Sequence, residues 1–290
     1  MKSYLELLQD VMQNGEGHAD RTGVGTRSVF GRQWRHDMRE GFPLLTTKRI
    51  PLRWVFEELR WFLSGSTDVK PLQEAGVDIW DEWATPEQCA KFGRNAGDLG
   101  HVYGGLWRDF LGLTRSPNDA HFNADVGNDQ IDGLLKEIAA NPNSRRLIVT
   151  GWHPVEQRKV ALPPCHTLWQ VKIHEDKGMS LHLYARSIDI FLGLPFNIAS
   201  YALLLTMLAE VTGHTTRDLI ISFGDLHLYN NHVGQATEQL TREPHQLPTV
   251  CLGARPTEGS TLSQLLAIKW EHVRLADYKS HPKIAAPVAV

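Results

Sequence analysis

The sequence predicts an α+β layered fold, a mixed sheet packed by helices. Two apolar segments at helical spacing precede a pair of runs alternating with a period of two, and a long apolar helix follows them. Helices and strands mix without the regular βαβ alternation of a doubly wound sheet. No internal repeat, low-complexity run or Pro/Gly/Ser linker divides the chain, so residues 1–290 are expected to form a single domain.

The first helix is expected over 4–13, where Leu5, Leu8 and Met12 share a face. A second spans 51–63, with Leu52, Val55, Phe56, Leu59, Phe62 and Leu63 at helical spacing, Pro51 suited to the first turn and Gly65 as the stop. Residues 85–97 and 113–129 carry no apolar period and read as surface loops, which makes Cys89 an exposed or half-buried thiol. A short β-rich run covers 147–152. Thr167, Trp169, Val171 and Ile173 then alternate with their neighbours, as do Met179, Leu181, Leu183 and Ala185 after the turn Glu175-Asp176-Lys177-Gly178. These two runs form a β-hairpin. A buried helix over 197–211 and a strand over 219–223 complete the pattern.

Composition narrows the function. With 290 residues, 42% of them hydrophobic, the chain can bury a sizeable core. A formal net charge of −3 provides no general attraction to nucleic acid. Three cysteines, Cys89, Cys165 and Cys251, are too few for a disulfide framework, and a reducing, cytoplasmic setting is the expectation. The N-terminal segment is amphipathic and lacks the apolar run of a signal peptide. Residues 191–209 carry no charge and approach membrane-spanning length, but Pro195, Asn197 and Ser200 lie inside them and Asp189 and Glu210 flank them. A helix buried on all sides, with no membrane, fits better.

The chemistry-bearing residues cluster around the hairpin. Cys165 follows Pro163-Pro164, so its backbone is rigid, and His166 adjoins it. A free cysteine is more often a small buried hydrophobe than a nucleophile. An arginine nearby would favour the thiolate, and Arg186 stands where a neighbouring strand end could bring it close. Arg21, Arg145, Arg146, Arg186 and Ser187 would make a phosphate site if they converge, because guanidinium matches phosphate oxygens in bidentate fashion. Asn197 either caps a helix or reads the donor–acceptor edge of a base, and Asp189 either forms an ion pair or serves a ligand. His227 and Tyr229 share one side of an extended segment and could bind sugar hydroxyls or satisfy each other. Glu58 sits on the second helix, where most glutamates are solvated. Metal-ligand spacing is poorly supported, and no Walker loop, dinucleotide-binding glycine pattern or nucleophile elbow is present.

Several stretches together resemble the thymidylate synthase family. They are Asp20-Arg21-Thr22-Gly23, Phe42-Pro43-Leu44-Leu45-Thr46-Thr47-Lys48, Ile79-Trp80-Asp81-Glu82-Trp83, Val102-Tyr103-Gly104, Pro164-Cys165-His166 and Arg186-Ser187-Ile188-Asp189. Gly193-Leu194-Pro195-Phe196-Asn197-Ile198-Ala199-Ser200-Tyr201, Gly224-Asp225, His227-Leu228-Tyr229 and Ala286-Pro287-Val288-Ala289-Val290 continue the match in family order to the chain end.

The resemblance implies that Cys165 attacks carbon six of dUMP and that carbon five then takes the methylene of 5,10-methylenetetrahydrofolate, the co-substrate. It implies that Arg186 keeps the thiol ionised and binds phosphate with Arg21, Ser187 and the Arg145 and Arg146 of a second subunit, in a homodimer with shared sites. Asn197 would read uracil, and His227 and Tyr229 the deoxyribose. Glu58, Tyr103 and water would move protons. Asp189 would hold the pterin against Ile79, Trp80, Trp83, Leu162, Leu192, Gly193 and Phe196. Lys48 would meet the glutamate tail, and the C-terminal segment ending at Val290 would close over the ligands. The same family includes dUMP and dCMP hydroxymethylases, in which water takes the place of hydride. Asn197, Trp80 and Val290 favour methyl transfer over that alternative. Three departures stand out: Ala185 where Gln is common, Pro51 where a polar residue is common near the folate tail, and a longer loop over 85–97.

Overall fold

The structure, a computed structural model, describes residues 1–20, 23–110, 128–254 and 257–288. In chain order its helices and strands are α1 (Lys2–Asn14), β1 (Glu16–His18), β2 (Thr26–Asp37), α2 (Leu52–Ser64), α3 (Lys70–Glu74), α4 (Pro86–Ala90), α5 (Gly104–Arg108) and α6 (Gln130–Ala140). They continue with β3 (Ile148–Thr150), β4 (His166–Ile173), β5 (Gly178–Asp189), α7 (Gly193–Thr212), β6 (Thr215–Tyr229), α8 (Val233–Leu240), β7 (Thr249–Leu252), α9 (Thr261–Leu266) and β8 (Val273–Ala276).

Six strands form one sheet in the order β1-β2-β6-β5-β4-β3, and β7 and β8 pair separately. Only β5 and β6 run parallel; the other neighbours are antiparallel. A parallel pair needs a long crossover, and α7 is that crossover. The sheet is therefore mixed and packed by helices, as the patterning predicts.

The helices lie against one face. Trp169, Val171, Leu181, Leu183, Leu219, Ile221 and Trp34 point into the core with α7, whose Ile198, Leu203, Leu204, Leu205 and Leu208 are fully buried. By length and apolarity α7 could cross a membrane, yet it is the central helix of this core. The opposite face carries Leu168, Gln170, Lys172, His182, Tyr184, Ser222 and Gln33, with Leu168 and Tyr184 exposed. Among the described residues no helix layer covers this half-apolar face.

Several expectations shift. The first helix buries Tyr4, Leu7, Leu8 and Val11, while Leu5 and Met12 lie at the edge of that stripe. Pro51 occupies the N-cap position of α2 rather than its first turn, and Gly65 closes the helix at φ +75°. The segment 85–97 is not a plain surface loop. Thr85 accepts a hydrogen bond from Gln88 N, Pro86 begins α4, and Cys89 is fully buried with its Sγ 3.7 Å from the Trp83 carbonyl. A cap followed by proline starts a helix even where the apolar period is too short to see. Of 113–129, only 128 and 129 are described; Asp129 caps α6 and pairs with Arg108 at 2.8 Å. The long strand β2 carries no strict alternation in its sequence, because Gly31 at φ +71° interrupts the pleat and reverses which residues face inward.

Candidate active site

Cys165 stands immediately before β4, and the strand pairing brings it to the end of β5. Arg186 N donates to the Cys165 carbonyl at 2.9 Å. The Arg186 side chain then turns back: Nε donates to the Pro164 carbonyl at 2.9 Å and Nη2 to the Pro163 carbonyl at 2.8 Å. Two prolines have no N–H to give, but their carbonyls remain acceptors, and the guanidinium takes both. The guanidinium also lies 5.3 Å from the centre of the Trp152 ring. Ala185 is fully buried in the sheet, and because Arg186 is fixed by backbone carbonyls it needs no side-chain partner at 185.

Arg186 does not win the competition over the thiol in this structure. Burial pushes Cys165 above its ordinary value, while Arg186 and Tyr103 pull it the other way. Arg186 favours the thiolate, as the sequence leads one to expect, while desolvation of the sulfur opposes a guanidinium already engaged with two carbonyls.

Tyr103 holds the thiol from the other side. Its hydroxyl accepts from Cys165 N at 2.9 Å, and its ring stacks on Phe62 at 4.8 Å and lies 5.1 Å from His166. Burial raises the Tyr103 hydroxyl well above its ordinary range. Its backbone is strained, with φ +35° and ψ −92°. What holds it there is the crossing of α5 on α2: a Cβ added at Gly104 would come within 2.1 Å of the Phe62 carbonyl oxygen. One turn back on α2, Glu58 is 8% exposed and accepts from Trp80 Nε1 at 2.8 Å. Burial pushes its carboxyl up to about 7, against the pull of that hydrogen bond. The general expectation of a solvated helix glutamate fails here, because the helix face that carries Leu59 and Phe62 inward carries Glu58 with them.

His166 reaches the same place through a bulge. The register between β4 and β5 shifts between His166 and Leu168. Strict alternation would put His166 on the open face beside Leu168; the bulge turns it inward, where its ring lies 5.1 Å from both Tyr103 and Tyr201. Burial lowers it to about 4, opposed by its hydrogen bond with Asn197, so it is neutral near neutral pH. Its Nδ1 and the Tyr201 hydroxyl are buried with no hydrogen-bond partner among the described residues. Sequence reasoning quoted His166 and Tyr201 only as parts of motifs.

Asn197 is not a helix cap. Helix α7 begins at Gly193 with Leu192 at the cap position, so Asn197 lies within the second turn beside His166. Asp189 ends β5 with no ion pair among the described residues: its carboxylate accepts from Phe191 N at 2.8 Å and Leu192 N at 3.2 Å, setting the turn into α7. Gly193 lies between the two, with an added Cβ at 3.7 Å from the Asn197 side-chain oxygen and 3.8 Å from Asp189 Cβ. Ile79, Trp83, Leu162, Leu192 and Phe196 are half-buried apolar residues on the core margin, and Trp80 lies 5.9 Å from Trp83 edge to face. Leu192, whose N–H binds the Asp189 carboxylate, gives it an apolar neighbour, a setting that suits a flat heteroaromatic ring with N–H donors.

Lys48 faces inward instead of out. It is 4% exposed, its Nζ donates to the Phe191 carbonyl and sits 3.6 Å from the centre of the Phe191 ring. Burial lowers it to about 7, opposed by Asp189. Contact with a bound tail would require this side chain to leave its pocket.

On the next strand, His227 pairs across to Asp189 and to Ser28 in β2. Its Nδ1 is 2.7 Å from an Asp225 carboxylate oxygen, and its ring meets Tyr229 edge to face at 5.2 Å. Asp225 was missed as a functional residue, although an Asp two positions before a His on a strand lies on the same side and can orient the ring. Ser187 pairs with Asp225 across β5 and β6. Arg145 and Arg146 stand elsewhere, exposed ahead of the edge strand β3. Arg145 borders a cleft of about 430 Å³ on the open sheet face with Arg35, Gln170, Lys172, His182 and Asp218. Arg21 and Val290 lie outside the described residues.

A thiol, a guanidinium, an amide and a neutral imidazole therefore meet where β4 begins and β5 ends, and Tyr103, which binds Cys165 N, also feels the carboxyl that titrates near neutrality on α2. The family model described as Thymidylate synthase matches residues 2–290. That family catalyses methyl transfer in dTMP biosynthesis with a folate co-substrate. The chain belongs to the thymidylate synthase family.

Proposed function

We propose that this protein catalyses the reductive methylation of dUMP to dTMP with 5,10-methylenetetrahydrofolate. The observation that carries the reading is the clamp of Arg186 on the two carbonyls preceding Cys165, which fixes nucleophile and guanidinium as one unit. Phosphate arriving beside Arg186 and Ser187 would bring substrate to that unit. The Cys165 sulfur adds to carbon six of the uracil, and the electron pair released into the ring makes carbon five nucleophilic. Arg186 already pulls the thiol toward its anion, so substrate needs to shift the balance only part of the way. Asn197, oriented against His166, presents its amide to the uracil edge. The imidazole, lowered to about 4 by burial and so neutral near neutral pH, leaves that amide as a reader of hydrogen bonds rather than of charge.

The folate supplies the one-carbon unit and then a hydride, leaving as dihydrofolate. Asp189, with Trp80, Trp83, Leu192 and Phe196, would hold its ring. Glu58, at about 7, can accept a proton and return it within one turnover, and Tyr103 lies between it and Cys165. The carbon-five proton leaves to that network, and departure of Cys165 from carbon six completes the methylated product. The exposed Leu168 and Tyr184 and the unlayered sheet face support a homodimer, with Arg145 and Arg146 at its edge reaching a partner's phosphate. Three free thiols, Cys89, Cys165 and Cys251, suit a cytoplasmic setting.

Incubation with dUMP and methylenetetrahydrofolate, with the nucleotide product identified by mass spectrometry, tests this reading. A product heavier by one methylene, formed with dihydrofolate, is expected. A hydroxymethyl product with tetrahydrofolate released would replace methyl transfer by water addition, and no product at all would remove the reading.

A further inference from the structure

The last anchor of the chain end is a buried histidine that the proposed chemistry leaves unused. His232 ends the short turn Asn230–His232 directly after Tyr229 and is 0% exposed. Its Nε2 is 2.7 Å from the Pro287 carbonyl. A carbonyl only accepts, so Nε2 carries the hydrogen and Nδ1 carries the lone pair. That Nδ1 has no hydrogen-bond partner among the described residues. The ring sits between two aromatics, 5.6 Å from Phe191 and 5.7 Å from Tyr229. A leucine or phenylalanine would fill such a slot without leaving a buried nitrogen unsatisfied. The one interaction that requires a histidine here is the hydrogen bond to residue 287.

The rest of the C-terminal segment is secured elsewhere. Tyr278 donates to the Leu45 carbonyl at 2.8 Å, His281 N to the Thr46 carbonyl at 2.8 Å, and Arg242 bridges the Thr47 and Pro282 carbonyls at 2.8 and 2.7 Å. Ile284 is buried. These bonds tie 278–284 to the segment leading into Lys48. Beyond them, among the described residues, His232 alone supplies a side-chain hydrogen bond to 285–288.

We propose that His232 is a positioning residue: by holding the Pro287 carbonyl it sets the C-terminal segment beside Phe191 and Tyr229, and so couples the chain end to both the nucleotide and the folate sides of the site. The placement of the segment stands on the hydrogen bond itself; its effect on turnover rests on the proposed function. The variants His232→Phe and His232→Asn both remove the bond, the first keeping the ring volume and the second a polar group too short to reach. In His232→Gln the amide nitrogen replaces Nε2.

Amide hydrogen exchange of the peptide 284–290 in the full, unliganded protein reads the placement directly. Exchange should be about tenfold faster in His232→Phe or His232→Asn, on the scale of one lost hydrogen bond, and return to within about threefold of wild type in His232→Gln. Steady-state kinetics read the consequence. kcat should fall by about tenfold, and the folate KM rise and dUMP dissociation quicken, in the two loss variants, with partial recovery in His232→Gln. Unchanged exchange in whichever loss variants fold, or failure of folded His232→Gln to slow the exchange, overturns the assignment. Altered exchange with unaltered kinetics overturns the coupling to turnover. If the wild-type protein forms no dTMP, the proposed function falls while the exchange result still decides the role of His232.

Discussion

At the scale of single residues, burial governs what the polar groups can do. Glu58 is the clearest case. Its carboxyl is raised from 4.5 to about 7, so the folded protein binds that proton more tightly than the unfolded chain. Stability is unaffected below about pH 4.5, where both states are protonated, and falls as pH rises toward 7, by about 3 kcal/mol in full. We expect Glu58→Gln to be more stable than wild type at pH 8 by up to that amount, with the gain gone near pH 4, as measured by urea unfolding at the two pH values. The same substitution should lower kcat by about 10²- to 10⁴-fold and remove an inflection near pH 7, below which wild-type activity falls as the carboxylate takes a proton. Retention of that inflection would assign it to another group. Cys165 is the opposite lesson. Its rigid Pro-Pro frame is visible in the sequence, but the balance of desolvation against Arg186 is a property of the folded surroundings.

At the scale of elements, two irregularities place the site. The close crossing of α5 on α2 at Gly104 joins the helix of Glu58 to the strained Tyr103. Gly104→Ala would have to push α5 off α2 by more than an ångström to clear the Phe62 carbonyl, since 2.1 Å is far inside any normal carbon–oxygen contact. A loss of about 1–3 kcal/mol in stability is expected from such overpacking. The informative readout is the split: kcat should fall while dUMP affinity holds, because Tyr103 moves relative to Cys165 but Arg186 and Ser187 do not. Equal loss of both would mean the whole site has shifted. The second irregularity is the β4 bulge that turns His166 inward, and a period-two reading cannot foresee it, because one extra residue reverses every assignment that follows. Helix starts were likewise hard to see where a cap and a proline, and not an apolar stripe, carry the signal, as at α4.

At the scale of the molecule, the described helices cover one sheet face and none of them covers the other, with Arg145 and Arg146 on the strand edge farthest from β2. A subunit that keeps those arginines away from its own Arg186 fits a shared site. Mixing inactive Cys165→Ser with inactive Arg146→Glu should restore some turnover through hybrid dimers, each with one intact site. No recovery after verified subunit exchange would remove the shared-site reading. Tyr184→Asp, on the bare face, should shift the protein toward monomer in sedimentation and reduce activity with it; a dimer undisturbed by that charge would place the interface elsewhere.

The α+β class, the hairpin and the central buried helix could be recognised from the sequence, and so could Cys165, Arg186 and Asn197 as candidates, whereas the pairing of Asp225 with His227 could not. Periodicity and motif order are local properties, and each survives folding because the sheet and α7 bury the faces their patterns announce. Tertiary structure decided which polar groups are desolvated and which meet. Glu58 titrating near neutrality, Lys48 turned inward and His232 holding Pro287 all depend on partners far away in the chain. Hydrogen bonding and dielectric environment are set by neighbours in space, and no spacing along the chain encodes them.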